Sequence, residues 1–176
     1  MLYYITGGER SGKSAYAQNL ALQLSENPIY LATSRIWDED FGQRVQRHQE
    51  ERDSRWSNLE AEKELALPEL KNRVVVIDCV TLWLTNFFTD TQNNRDESLR
   101  LAKESLNRLL KIDATFIIIS NEIGMGLHAQ THVGRKFTEL QGWMNQYIAA
   151  KADYAVFMVS GLPLELKSQD KERQHV

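Results

Sequence analysis

Leu2-Tyr3-Tyr4-Ile5-Thr6-Gly7-Gly8-Glu9-Arg10-Ser11-Gly12-Lys13-Ser14 is the stretch that decides the fold. Its first five residues are apolar and β-prone and read as a buried strand. Gly7 to Ser14 fits G-x-x-x-x-G-K-[ST], and from Ser14 to Leu24 an apolar helical face follows in Ala15, Leu20, Ala21 and Leu24. Strand, glycine loop and helix in that order make a phosphate cradle: loop N–H groups point at phosphate oxygens, and the positive end of the helix adds to the field. Gly7, Gly8, Glu9, Arg10, Ser11 and Gly12 form the cradle, Lys13 reaches the β- and γ-phosphates, and the Ser14 hydroxyl is a ligand for Mg²⁺. The pattern specifies a nucleotide and leaves the reaction open, because motors, kinases, switches and transferases share it.

Outward from this stretch, strand-like and helical runs alternate. Strands are expected at 28–32, 74–78, 115–120 and 154–159, and helices at 38–53, 96–111 and 135–150, with a short helical piece at 65–70. Val74-Val75-Val76-Ile77 and Phe116-Ile117-Ile118-Ile119 are apolar without alternation, which implies a parallel sheet covered on both faces. Ligands in such folds bind beyond the carboxyl ends of the strands. The chain of 176 residues, 42% hydrophobic, suits one domain over 1–168 followed by a polar tail, 169–176. A net charge of −3 disfavours non-specific nucleic-acid binding. A strand so near the N-terminus leaves no room for a signal peptide, no run is long enough to cross a membrane, and the lone Cys79 fits a reducing cytoplasm as a buried thiol.

Several polar residues fall at the expected strand ends. Asp78 closes an aliphatic strand, the pattern of a carboxylate that holds Mg²⁺ with Ser14; the alternative is a turn aspartate. Glu122, in Asn121-Glu122-Ile123-Gly124, is either a general base or orienter for a hydroxyl, or ordinary turn chemistry. On the 38–53 helix, Asp40, Arg44, His48 and Arg52 recur every four residues and share a face. Two flanking arginines favour a neutral, nucleophilic imidazole at His48, while a solvated charge stripe is the plainer reading. Trp37, Trp56, Trp83 and Trp143 either stack on a planar ligand or pack in the core. His128 and His132 lack a third ligand and read as surface residues.

Taken together, the residues resemble the bifunctional adenosylcobinamide kinase / adenosylcobinamide-phosphate guanylyltransferases. The resemblance runs through Thr6–Ser14, Tyr30-Leu31-Ala32-Thr33-Ser34, Arg44-Val45-Gln46-Arg47-His48 with Arg52, Trp56 and Glu60, and Asp78–Asn86. It continues through Ser120–Gly126, Arg135-Lys136-Phe137, Gly142, Asn145-Gln146, Ala152-Asp153 and Ser160-Gly161-Leu162-Pro163. It implies a three-layer α/β P-loop NTPase fold with a mainly parallel, RecA-like sheet. It implies two reactions: phosphorylation of adenosylcobinamide by a nucleoside triphosphate, then transfer of GMP from GTP through a guanylyl-histidine at His48. It places Ala32, Thr33, Ser34, Gln49, Glu50, Glu51, Arg52, Glu60 and Asp78 with the P-loop around the nucleotide, Glu60 accepting from the guanine N1–H and amine. Mg²⁺ as cofactor, GTP and ATP as substrates, a corrinoid acceptor, a cytoplasmic location and a homo-oligomer, specifically a trimer, follow from the same resemblance. The chain departs from the family pattern at Leu127-His128-Ala129, Thr138-Glu139 and Trp143. Three rivals are weighed on the residues alone, of which a nucleic-acid-stimulated RecA-type motor is disfavoured because the composition offers little sign of a basic binding surface. A P-loop kinase for another small hydroxyl compound needs no His48, and a nucleotide-gated switch binds without transfer.

Overall fold

The computed structural model describes residues 1–35 and 52–168. In chain order the elements are β1 (Leu2–Gly7), α1 (Lys13–Leu24), β2 (Ile29–Ala32), β3 (Ser57–Glu60), a 3-10 turn at Pro68–Leu70, β4 (Val74–Asp78) and α2 (Val80–Asp90). Then follow α3 (Arg95–Leu109), β5 (Thr115–Asn121), α4 (His132–Lys151), β6 (Tyr154–Val159) and β7 (Leu162–Lys167). The strands form one sheet in the order β3-β2-β4-β5-β1-β6-β7. Every pairing is parallel except β6 with β7, which is an antiparallel hairpin at the edge.

Alternation along the strands divides the core in two. One face sends Ile5, Tyr30, Val76, Ile117 and Ile119 against Ala17 and Ala21 of α1. The other sends Leu2, Tyr4, Leu31, Val75, Ile77 and Ile118 against α2, α3 and α4, through Trp83, Leu106, Leu140 and Met144. Helices on both faces bury the central strands completely, which is why β4 and β5 read as continuous aliphatic runs. This is a three-layer α/β fold with a mainly parallel sheet, as the sequence implies. Trp83 anchors the second core, 1% exposed with its indole N–H donating to the Lys63 carbonyl at 2.9 Å; truncating such a residue to alanine costs about 3–5 kcal/mol.

The expected elements at 74–78 and 154–159 match to the residue, and the others shift by a few positions at their ends. The helical piece at 65–70 is a 3-10 turn over Pro68–Leu70. Of the expected 38–53 helix, residues 36–51 lie outside the described residues, as does the tail 169–176, and Arg52 and Asp53 are not helical. Three elements have no counterpart in the sequence reading: β3, α2 and β7. α2 is VTLWLTNFFTD, rich in β-branched and aromatic residues of modest helix propensity. It is helical because Val80, Trp83, Leu84, Phe87 and Phe88 recur at helical spacing and fill the core beneath it. β3 and β7 are short edge strands with mostly exposed residues, so neither carries a burial signal.

Candidate active site

The carboxyl ends of β1, β2, β4 and β5 converge on one rim, and the glycine loop lies across it. The loop is locked from behind. A Cβ at Gly7 would sit 2.4 Å from the Met158 carbonyl oxygen, a distance no side chain tolerates. Gly12 caps α1 at φ 95°, a left-handed conformation that favours glycine. The Ser11 carbonyl accepts from Gly161 N–H at 3.0 Å, and the Gly7 carbonyl from Glu122 N–H at 2.9 Å. The turn of the β6–β7 hairpin and the end of β5 thus both hold the cradle.

Lys13, only 7% exposed, donates from Nζ to the Gly8 carbonyl at 2.5 Å and lies 3.4 Å from Ser11 Oγ. Burial lowers its pKa from the ordinary lysine value, and nearby negative groups, Asp78 and Glu9 among them, oppose that shift. Ser14 Oγ donates to Asp78 Oδ2 at 3.2 Å, joining residues 64 positions apart. A hydroxyl and a carboxylate this close beside the glycine loop are hard oxygen donors of the kind that could hold Mg²⁺. Among the described residues no cluster of three His, Cys, Asp or Glu side chains offers an all-protein metal cage.

Ala32 pairs in register with Asp78 on one side and with Glu60 on the other. Glu60 therefore stands two strands from Asp78, about 10 Å away at strand spacing, exposed at the rim. Thr33 serves the frame instead. It is fully buried, its N–H donates to the Asp78 carbonyl at 3.0 Å and its hydroxyl to the Cys79 carbonyl at 2.8 Å. Asn86 Nδ2 then ties the Thr33 carbonyl to that of Glu62, both at 2.8 Å. Cys79 is buried and its thiol is pushed up to about 12, first by desolvation and then by Asp78, which suits the structural role expected of it.

Glu122 lies on the same rim, but its carboxylate is engaged locally, Oε1 accepting from Gly124 N–H at 2.8 Å. Its position is set by a buried polar network: Asn145 Nδ2 donates to the Asn121 carbonyl at 3.2 Å, while Gln141, Ser120 and Asn145 bond one another at 2.6–2.9 Å. No described contact joins Glu122 to Lys13 or Asp78 through side chains. His48, Gln49, Glu50 and Glu51 lie outside the described residues, as does Trp37. Arg52, the first residue after that segment, stacks its guanidinium carbon 3.8 Å over the Tyr30 ring and donates to Asn58 Oδ1 at 2.8 Å. Trp56 and Trp83 are core residues, while Trp143 is 39% exposed beneath Arg95; His128 and His132 are exposed.

Tyr30 is the site residue that motif reading left out. It is 7% exposed and donates its phenol O–H to Asp78 Oδ2 at 2.5 Å. A signal for it existed in strand parity: Ala32 pairs with Asp78, so Tyr30, two residues earlier, projects from the same face.

A family model described as cobinamide kinase / cobinamide phosphate guanyltransferase matches residues 3–166. The chain is 34% identical over 169 residues to the bifunctional adenosylcobalamin biosynthesis protein CobP of Pseudomonas aeruginosa, covering 94% of this chain and 96% of that one. It is 30% identical over 182 residues to the bifunctional adenosylcobalamin biosynthesis protein CobU of Escherichia coli, covering 95% and 100%. The CobU protein of Salmonella typhimurium is 28% identical over 184 residues, with 95% and 100% covered. With its cradle, its Ser14–Asp78 pair and a match across nearly its whole length, the chain belongs to the cobinamide kinase / cobinamide phosphate guanyltransferase family.

Proposed function

We propose that this chain phosphorylates adenosylcobinamide and then, through a guanylyl-histidine at His48, converts adenosylcobinamide phosphate to adenosylcobinamide-GDP. The observation that carries the reading is the convergence of Lys13, Ser14 and Asp78 at the mouth of the glycine loop, in a chain of this family. In the first reaction the acceptor's hydroxyl oxygen attacks the γ-phosphorus of a nucleoside triphosphate, GTP or ATP, and the diphosphate leaves. Loop N–H groups and Lys13 take the charge that builds on the phosphate oxygens. Glu122 is the group we assign to receive the hydroxyl proton, at Oε2 while Oε1 keeps the Gly124 N–H.

In the second reaction an imidazole nitrogen of His48 attacks the α-phosphorus of GTP and pyrophosphate departs. A phosphate oxygen of the acceptor then attacks the guanylyl phosphorus, His48 leaves, and a diphosphate bridge remains. Chain connectivity supports this role: three residues lie between His48 and Arg52, a span of at most about 14 Å, and Arg52 lies on the ring whose hydroxyl touches Asp78. Gln49, Glu50, Glu51, Arg52, Ala32, Ser34 and Glu60 border the nucleotide in this reading, with Glu60 at the guanine, while the fully buried Thr33 holds the frame behind them. Ser14 and Asp78 would hold Mg²⁺, which would neutralise phosphate charge.

Incubating the protein with adenosylcobinamide, Mg²⁺ and GTP and separating the corrinoids tests the proposal. Successive appearance of the monophosphate and of adenosylcobinamide-GDP is expected; a phosphate that never becomes the GDP derivative contradicts the second half. We further propose a homo-oligomer, a trimer by the family resemblance; self-association is supported by the exposed apolar β6–β7 hairpin at the sheet edge, where Val159, Leu162, Leu164 and Leu166 are 49–67% exposed. Light scattering should give three times the 20.3 kDa chain mass; a monomer mass contradicts it.

A further inference from the structure

Tyr30 stands out among the buried polar groups because its oxygen ends on the carboxylate that the proposed chemistry needs. Its ring lies in the core on the α1 side of the sheet, with Trp56 edge-on at 6.0 Å and Arg52 stacked at 3.8 Å on the rim side. Packing therefore fixes the ring in place and orientation. Phenylalanine would fill the same space without bringing a polar atom into the core. The phenol O–H instead donates to Asp78 Oδ2, the same oxygen that takes the Ser14 hydroxyl. Both hydrogen bonds that described side chains make to this carboxylate thus end on one oxygen. A carboxylate at a strand end can otherwise turn freely about its last torsion.

We propose that Tyr30 is a positioning residue for Asp78, and that its phenol sets how tightly the Ser14–Asp78 pair holds the divalent cation accompanying the nucleotide. The inference rests on the reading of that pair as the cation site. An outer hydrogen bond of this kind aligns a ligand's oxygens, and its loss ordinarily weakens metal affinity about 10–100-fold. The Arg52 stack adds a consequence: the ring that orients Asp78 is gripped by the first described residue after His48.

The test uses the full chain as wild type, Tyr30→Phe, Asp78→Asn and the double variant, each checked by thermal unfolding. The dissociation constant of a fluorescent GTP analogue is measured in EDTA and across a Mg²⁺ titration, and Mn²⁺ binding is read directly by electron paramagnetic resonance. Tyr30→Phe should bind the analogue within about 2-fold of wild type in EDTA, yet need about 10-fold more Mg²⁺, with a matching loss for Mn²⁺. On the Asp78→Asn background it should cause no further shift. 4-Fluorophenylalanine at position 30, which fills the oxygen's space but donates no proton, should reproduce Tyr30→Phe and so separates the lost donor from a packing defect. The inference is overturned if Asp78→Asn shifts the Mg²⁺ midpoint and Tyr30→Phe does not. It is equally overturned if Tyr30→Phe weakens nucleotide binding as much in EDTA as in Mg²⁺. An unmoved midpoint in Asp78→Asn itself would instead remove the cation-site reading beneath it.

Discussion

Gly7 and Glu122 meet across one hydrogen bond, the Glu122 N–H donating to the Gly7 carbonyl at 2.9 Å, yet the chain on the two sides of that bond is built differently. On the Gly7 side the loop is pressed against Met158 and Gly161, Lys13 is buried, and Asp78 has two hydroxyl donors. On the Glu122 side the chain runs into solvent: Met125 is 76% and Leu127 100% exposed, and a Cβ at Gly126 would meet nothing within 4 Å. The phosphate half of the site is pre-organised by the chain's own packing, as electrostatic stabilisation of phosphoryl transfer requires. The β5 half presents exposed apolar side chains and a carboxylate bonded to the Gly124 N–H. In the proposed reading, the first half serves both triphosphates and the second faces the acceptor.

Removing the shared centre should have the largest effect. Lys13→Ala is expected to lower both the kinase and the guanylyltransferase rates by about 10²–10³-fold, measured as initial rates for each product. Loss of only one activity would break the idea of a common phosphate centre. Glu122→Gln, on the other side, should slow the kinase step by about 10²-fold while leaving guanylylation of the protein by GTP within about 2-fold. Equal losses in both would merge the two halves.

The packing contrast can be tested without chemistry. Gly7→Ala drives a methyl into the Met158 carbonyl, a fixed backbone atom, and should cost about 1–3 kcal/mol, a drop in Tm of several degrees by calorimetry. Gly126→Ala meets open space and should change stability by no more than about 0.5 kcal/mol. Comparable drops would contradict the contrast.

The smallest effect concerns the frame near the rim. Asp90 accepts from Arg35 at 2.9 and 3.1 Å and from Lys63 at 2.6 Å, and these donors, Arg35 first, hold its carboxyl below the usual range. A depressed folded pKa stabilises above the unfolded value, near 4, and the contribution is lost as pH falls through the folded value. Its side chain is 33% exposed, so water screens the pair. Asp90→Asn should lower Tm by about 2 °C at pH 7, and the gap should close as pH drops below about 4. A gap that widens in acid would contradict the assignment.

Legibility of the sequence followed burial. β4 and β5 were plain because helices on both faces demand unbroken aliphatic runs, and the Gly7–Ser14 loop because its backbone geometry admits few residues. β3 and β7 left no trace because an edge strand with exposed side chains needs no pattern. α2 was hidden by β-branched and aromatic residues whose local preference its packing overrides. At the site, motif points to Lys13, Ser14 and Asp78; the structure bonds Ser14 to Asp78 and Lys13 to the Gly8 carbonyl. Thr33 was named for the nucleotide, and its side chain is turned to the frame. Tyr30 lies in a stretch that resembles the family, but no motif gives it a role, because its hydroxyl meets Asp78 through cross-strand pairing. The family match rests on the whole chain rather than on any one of these residues.

His48 as a nucleophile that shares the Lys13 centre is the central claim, and one measurement addresses it directly. The protein is incubated with Mg²⁺ and GTP labelled on the α-phosphate, denatured, and assayed for retained label beside His48→Ala and Lys13→Ala. An acid-labile, base-stable label in the wild type, absent from His48→Ala and strongly reduced in Lys13→Ala, is the predicted result. A wild type that binds GTP and retains no label, or a His48→Ala protein that labels normally, would contradict it.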